Sequence, residues 1–436
     1  MNVSQVNRLL SEGKIDILGL FPHIEELKQS PYIFKIRFGL DTLPEEPGLI
    51  IIRGARQYGK STWLEMQLRK TIKKYGPGTA FYLNGDVLAN KDELGRNIRE
   101  LVSLFKANSP VRRLFIDEIT SIKDWQIGLK ILFDTGELRS VLVVTTGSKA
   151  TDLRHGKERL PGRKGRLERT GFIFTPVSYV EFKKVCGRNL NEKTLPAYIL
   201  SGGAPAACRE LAFRHRLPEY VMEMVRDWIY GECSASGRPR PSLLAVMDCL
   251  IRFSGVPVGQ AKLAREAGLA NNTVASGYID LLSDLLTVAP SFAWDSSRRM
   301  SITRKPCKYH FTNLLVAVAW DSMKMRSISD FQSLSPERQG YWLEWLVAQE
   351  VWRRAAIRGE EFPEVMNFWQ SKQHEIDFVL DSSTFLEVKR GNASPLDYAW
   401  FRKTFPSANL TVINQQRFET GYVRGITFED FLMEEK

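Results

Sequence analysis

The stretch Gly48-Leu-Ile-Ile-Ile-Arg53-Gly54-Ala55-Arg56-Gln57-Tyr58-Gly59-Lys60-Ser61-Thr62 decides the fold. Its first six residues read as a buried strand, residues 54–61 fit G-x-x-x-x-G-K-[ST], and 61–74 reads as the helix that leaves it. The residue types follow from the chemistry of holding phosphate. Gly54 and Gly59 permit torsions closed to other residues. Successive main-chain N–H groups then turn inward and cradle phosphate oxygens, and the helix N-terminus adds partial positive charge. Lys60 would reach the β- and γ-phosphates as a point charge, and Ser61 would offer its hydroxyl to Mg²⁺. Residues 54–62 are therefore expected to bind ATP, or a close nucleotide relative, with Mg²⁺. A chance match is the competing reading, and the flanking strand and helix argue against it.

Working outward, apolar runs at 48–52, 80–83, 114–116, 141–144 and 171–174 alternate with helical stretches. Such alternation predicts an α/β domain with a parallel sheet and covering helices. Arg113-Leu-Phe-Ile-Asp117-Glu118 is an apolar strand that ends in two acids. Beside the phosphate loop, Asp117 would hold a magnesium water and Glu118 would polarise the attacking water. The strand at 140–148 ends in Thr145-Thr146-Gly147-Ser148, where Thr146 or Ser148 is a candidate sensor of the γ-phosphate. An ordinary strand end is the plainer alternative. Residues 154–169 hold seven Lys or Arg against two Glu. Arg163 or Arg166 could neutralise developing charge on the phosphate, or the segment could be a basic loop that touches a nucleic-acid backbone.

Residues 1–30 read as helical, ending at Pro31, and form with the following residues an N-terminal extension, 1–47. The ATPase-type domain with its helical segment spans 48–230. Gly231–Pro241, rich in Gly, Ser and Pro, is the expected linker. From 242 to 310, helices at 243–253, 259–267 and 272–282 around a turn at 268–271 have helix-turn-helix spacing. Segments 286–289 and 298–302 could pair as a wing with Arg298, Arg299, Arg304 and Lys305 at and beyond its tip. Such a motif often places its last helix in the DNA major groove. The helix at 272–282 carries no Arg or Lys, which weakens that reading and leaves a lid or interaction module as the alternative.

Residues 311–436 offer a second possible chemistry. After a helix at 313–325 comes a second helix containing Glu344. Asp377 starts a strand of a hairpin, and Glu387 and Lys389, two apart, project from one face of the next strand. Glu344, Asp377 and Glu387 could hold Mg²⁺ and lower the pKa of a bound water, with Lys389 orienting it, as in a nuclease. A sheet with a buried ion pair, kept for structure, is the alternative.

The net charge of +11 favours a polyanionic partner. Neither the five cysteines nor their spacing suggests a zinc site or a secreted disulfide scaffold. No signal peptide or membrane span is read, so a cytoplasmic location is expected.

The stretches RGARQYGKST (53–62), LFIDEI (114–119), TTGS (145–148), LPGR (160–163), TPVSYVEF (175–182), LSGGAPA (200–206), GYWLEWLVAQEV (340–351), HEIDFVL (374–380) and LEVKRG (386–391) stand in one order along the chain. In this they resemble a family of prokaryotic AAA-type ATPases. Its members join a P-loop ATPase to a winged helix and a C-terminal restriction-endonuclease-like domain of PD-(D/E)XK type. The resemblance implies that Gly54, Gly59, Lys60, Ser61, Asp117 and Glu118 form the ATPase site. It implies a nuclease-like fold around Glu344, Asp377, Glu387 and Lys389, and says less about their activity. Asn313 stands where relatives are expected to carry aspartate. Two functions are consistent with all this. One is an ATPase that acts on nucleic acid, DNA ahead of RNA, with cleavage open. The other is a nucleotide-dependent switch with slow turnover and a non-cleaving C-terminal domain. A homo-oligomer, in which a neighbour's arginine completes the site, is compatible with either.

Overall fold

The computed structural model describes residues 2–147, 166–360 and 366–434. The chain divides into two compact units, residues 1–175 with 356–359, and residues 176–355 with 360–436.

The first unit is built on five strands: β1 (Gly48–Arg53), β2 (Ala80–Asn84), β3 (Arg113–Asp117), β4 (Leu142–Gly147) and β5 (Gly171–Ile173). They pair in parallel in the order β2-β3-β4-β1-β5. β4 therefore stands between the strand that feeds the phosphate loop and the strand that carries Asp117. The strands are almost wholly apolar and buried, as a parallel sheet covered on both faces requires. Alternate residues Leu49, Ile51, Leu114, Ile116 and Val143 meet Leu94, Ile98 and Leu101 of the helix Lys91–Ser103 and Trp125, Leu129 and Leu132 of the helix Trp125–Asp134. Each such side chain contributes about 1.5–3 kcal/mol on full burial. The helix Lys91–Ser103 starts where Asn90 accepts hydrogen bonds from the amides of Asp92 and Glu93.

The expected helical region before Pro31 is two helices, Val3–Ser11 and Pro22–Gln29, broken where Gly13 and Gly19 take left-handed torsions. The first covers the open edge of β2. Asn7 Nδ2 donates to Tyr82 O at 2.7 Å, and Tyr82 N donates to Asn7 Oδ1 at 2.8 Å. One side-chain amide thus satisfies a strand edge that would otherwise invite pairing.

The second unit begins with helices Tyr179–Leu190, Thr194–Ser201, Pro205–Arg214 and Glu219–Ala235. Gly202 and Gly203 both have positive φ, and a Cβ on either would stand 2.6 Å from a main-chain atom, Leu315 N or Val177 O. The paired glycines of 200–206 are thus a close-packing device. The segment 231–241 is not an open linker. The helix Glu219–Ala235 runs through its first residues with Cys233 buried, and the next helix starts at Arg240. Its glycines and prolines mark a helix end and a helix start.

Helices Arg240–Arg252, Gln260–Glu266 and Asn272–Asp284 precede β6 (Val288–Asp295), β7 (Met300–Ile302) and β8 (Lys308–Phe311). The hairpin differs in register from the sequence expectation. Residues 293–295 pair with β7, while 288–291 pair with β8. Asp295 Oδ1 accepts from the amides of Ser297 and Arg298, so the chain reverses just after Asp295. β6 also pairs in parallel with β9 (Met366–Gln370), which pairs with β10 (Glu375–Ile376). One sheet therefore crosses the boundary expected at 310.

Asn313 caps the helix Leu314–Trp320, its Oδ1 accepting from Val316 N, a task aspartate performs equally well. This helix ends earlier than the expected 313–325. The helix Pro336–Arg358 carries Glu344. The last sheet has the order β11-β12-β13-β15-β14, from β11 (Phe378–Val379), β12 (Thr384–Val388), β13 (Asn409–Asn414), β14 (Phe418–Glu419) and β15 (Val423–Thr427). β12, β13 and β15 are parallel, and β11 and β14 are antiparallel edges. Phe385, Phe401, Phe405, Leu410 and Val412 fill its core. Among the described residues no helix is long and apolar enough to cross a membrane.

Candidate functional site

In the first unit, β1 runs into residues 54–59 and Gly59 caps the helix Lys60–Tyr75. Gln57 (φ 59°) and Gly59 (φ 99°) adopt left-handed torsions, and no atom lies within 4 Å of where a Cβ on Gly59 would stand. The first glycine has the opposite reason. A Cβ on Gly54 would stand 2.8 Å from Phe174 Cβ and 2.9 Å from Phe174 O. Ala55 and Tyr58 are buried, Arg56 and Gln57 exposed, and Ser61 and Thr62 half-buried in the first helical turn. The Lys60 ammonium donates to Gly54 O at 3.0 Å and Ala55 O at 2.9 Å, both carbonyls of its own loop. Burial pushes its pKa below the usual range, partly offset by the negative charge of Glu118 and Asp117.

Asp117 ends β3 and is buried. The Thr146 hydroxyl, at the end of β4, donates to Asp117 Oδ1. Glu118 N donates to Asp117 Oδ1 at 3.2 Å and to Thr146 Oγ1 at 3.4 Å. Glu118 itself has φ 47°, a left-handed torsion that a non-glycine residue holds only when its surroundings enforce it. The three sequence candidates Asp117, Glu118 and Thr146 are thus one hydrogen-bonded group. Ser148 and Arg163 lie outside the described residues, and Arg166 is exposed. The donor set suits a magnesium–nucleotide ion. Asp117 and Ser61 are hard oxygen donors of the kind Mg²⁺ takes alongside phosphate oxygens.

Sequence reasoning missed two neighbours. Gly85, just after β2, lies against the main-chain carbonyls of Glu118 and Asp117, where a Cβ would stand 2.3 Å from Glu118 O. Glu65, buried on the helix Lys60–Tyr75, binds His23 Nδ1 at 2.6 Å and accepts from Ile24 N at 3.1 Å. That contact raises the His23 pKa against the opposing effect of burial.

In the second unit the four sequence candidates do come together. Asp377 lies between β10 and β11, with Oδ2 accepting from Val388 N at 2.9 Å. Glu387, on β12, accepts from Asp377 N at 3.3 Å and pairs with Lys389 Nζ at 2.6 Å. Glu344 arrives from the helix Pro336–Arg358. The sequence reading lacked the group at the centre. Lys308 of β8, 1 % exposed at its side chain, lies 3.3 Å from Asp377 Oδ1 and 3.6 Å from Glu344 Oε1, and pairs with Glu375. Burial would lower the Lys308 pKa, but the carboxylates of Glu344, Asp377 and Glu375 raise it well above the usual lysine range. Burial and Asp377 raise Glu344 and Glu387. His310, on the same face of β8, is fully buried, its Nδ1 is 3.7 Å from Glu344 Oε1, and burial with the Lys308 charge pushes its pKa down to about 3. Among the described residues no group of three or more His, Cys, Asp or Glu is arranged to hold a metal. The signal that could have found these residues is period-two spacing. Lys308 and His310 alternate on one strand, and Glu375 stands two before Asp377.

Residues 46–183 match the model of a family described as an AAA domain. No curated protein matches the chain. Among solved structures, a Walker-type ATPase of Pyrococcus abyssi is 14% identical over 70% of this chain and 96% of its own, with a TM-score of 0.43. The ORC2 protein of Aeropyrum pernix, in ADPNP–ADP complexes, is 11% identical over 65% and 86%, with a TM-score of 0.35. AMPPCP-bound DnaA from Aquifex aeolicus is 11% identical over 62% and 88%, with a TM-score of 0.26. Likeness at this level says nothing of activity.

Proposed function

We propose that this chain, built around an AAA-type P-loop ATPase domain at residues 46–183, hydrolyses ATP with Mg²⁺ and couples the nucleotide state to action on nucleic acid. The observation that carries the reading is the pairing of two half-sites in one unit. A glycine-framed loop holds a buried lysine at a helix N-terminus, and a carboxylate pair at the end of β3 acts on that lysine's charge. Lys60 would exchange its neutral carbonyl acceptors for anionic phosphate oxygens, so that both members of the contact carry charge. Magnesium, held through Ser61 and Asp117, would neutralise charge between the β- and γ-phosphates. Glu118 orients the attacking water. Thr146 fixes the Asp117 carboxylate and so relates the end of β4 to the γ-phosphate position. Arg163 and Arg166 remain candidates for a charge supplied to the phosphate.

For the second unit, we take residues 242–310 as a winged helix-turn-helix and 311–436 as restriction-endonuclease-like in fold. The three helices, the β6–β7 hairpin and its exposed Arg298 and Arg299 support the first. The net charge of +11 supports a nucleic-acid partner.

The test is ATP binding and turnover by wild type, Lys60→Ala and Glu118→Gln, with and without duplex DNA. Lys60→Ala should lose binding. Glu118→Gln should keep it and lose turnover by at least ~10²-fold, the scale of a positioned general base. Wild-type turnover no faster than that of Glu118→Gln, under both conditions, would overturn the ATPase reading. It would leave the nucleotide-dependent switch, which the lysine-filled acidic cluster of the second unit also favours.

A further inference from the structure

The metal that a nuclease-like fold implies does not fit the side chains that surround Glu344 and Asp377. A divalent ion takes several oxygens at about 2.0–2.6 Å. Here the space between Glu344, Glu375 and Asp377 holds the Lys308 ammonium, in ion-pair reach of all three. The oxygens beyond it are engaged as well. Asp377 Oδ2 accepts from Val388 N, and Glu387 accepts from Asp377 N and Lys389. Lys308 is not a mobile surface group. Its side chain is 1 % exposed, the β6–β8 pairing fixes its strand, and its ammonium lies 5.5 Å from the Phe368 ring centroid.

A second feature shows what the pocket would be without that charge. His310 is fully buried, and neither ring nitrogen makes a hydrogen bond. Its Nδ1 faces Glu344 Oε1, an atom that also makes none. Without the ammonium, three carboxylates and one imidazole would face one another, and carboxylate oxygens are donors that Mn²⁺ accepts.

We propose that Lys308 is the resident cation of this cluster. Its ammonium supplies from within the chain the charge that a divalent metal would supply, so the second unit keeps its acidic residues without a metal site and without metal-dependent phosphodiester cleavage there. The carboxylates then serve to hold β8, β10, β12 and the helix Pro336–Arg358 together around one buried charge.

The experiment is titration of full-length, nucleotide-free protein with Mn²⁺ alone, with free ion followed by electron paramagnetic resonance. Leaving nucleotide out keeps the result independent of the ATPase reading. Lys308→Met should bind one equivalent of Mn²⁺ at least tenfold more tightly than wild type does, and the double variant Lys308→Met, Asp377→Asn should lose it. No gain in Lys308→Met would overturn the proposal. So would a Mn²⁺ equivalent in wild type that Glu387→Gln or Asp377→Asn abolishes. Should Lys308→Met fail to fold, the wild-type comparison decides. Identical titrations of wild type and Asp377→Asn support the proposal, and an equivalent lost in Asp377→Asn defeats it.

Discussion

Gly85→Ala should slow ATP hydrolysis without removing ATP binding. The added methyl carbon would stand 2.3 Å from Glu118 O, 2.8 Å from Glu118 C and 3.0 Å from Asp117 O. All three are main-chain atoms, so no side chain can rotate away. Relief to 3.0 Å takes about 0.7 Å of movement, shared between the Gly85–Val87 turn and the main chain at Glu118. That main chain has little slack, because Glu118 already sits at φ 47° and Asp117 before it is held by Thr146. Overpacking of this kind costs about 1–3 kcal/mol of stability. A catalytic group displaced by about 1 Å loses on the order of 10²-fold in rate. The phosphate loop and Lys60 are not in the overlap, so nucleotide affinity should change little. Steady-state turnover, equilibrium ATP binding and thermal unfolding, measured on the same preparation, separate these effects. The expected pattern is turnover down by about 30–100-fold, binding retained and a modest loss of stability. A variant that melts like wild type and turns over at the wild-type rate would show that Gly85 does not position the carboxylate pair.

Thr146→Val keeps the shape of β4 but removes the hydroxyl that donates to Asp117. A hydrogen bond to a charged group is worth about 1.5–3 kcal/mol. Turnover should therefore fall by about 10–100-fold, and an unchanged rate would remove Thr146 from the site. His23 gives a pH prediction. Its pKa is raised in the folded chain by Glu65. The pair's stabilisation is thus complete below the ordinary histidine value of 6.5 and is lost as pH rises through the raised one. The His23 side chain is 45% exposed, which limits the effect to at most about 1 kcal/mol. His23→Gln should flatten the unfolding midpoint against pH across that window, and equal slopes in variant and wild type would refute the linkage.

The parts of the fold legible in sequence are those that local chemistry dictates. β1 to β5 announce themselves because each is a short apolar run, and the phosphate loop because glycine torsions and one lysine fall at fixed spacing. The carboxylate pair at 117 and 118 was legible for the same reason. Thr146 was found only as a choice between two residues, because the bond that selects it comes from another strand. The hairpin register was missed because Asp295, not the apolar pattern, sets where the chain reverses. The centre of the acidic cluster was missed for a topological reason. Lys308 lies 69 residues from Asp377 along the chain and meets it only because the second sheet crosses the expected domain boundary. Asn7 hides in the same way, 75 residues from the strand edge it completes.

The two buried lysines make a common argument in opposite directions. Lys60 is enclosed by its own loop and bonded to neutral carbonyls, so burial depresses its pKa and nearby Asp117 and Glu118 only partly compensate. An incoming anion would supply the missing countercharge, and the favourable energy of that neutralisation becomes binding energy. Lys308 is equally buried but meets Glu344, Glu375 and Asp377 at once, and its pKa is raised. Its charge is already compensated, so nothing is gained there by taking up a phosphate. On the proposed readings, a lysine buried in both places would await a ligand in one unit and be already compensated in the other. What separates them is whether the fold delivers carboxylates to the ammonium or leaves that task to a nucleotide.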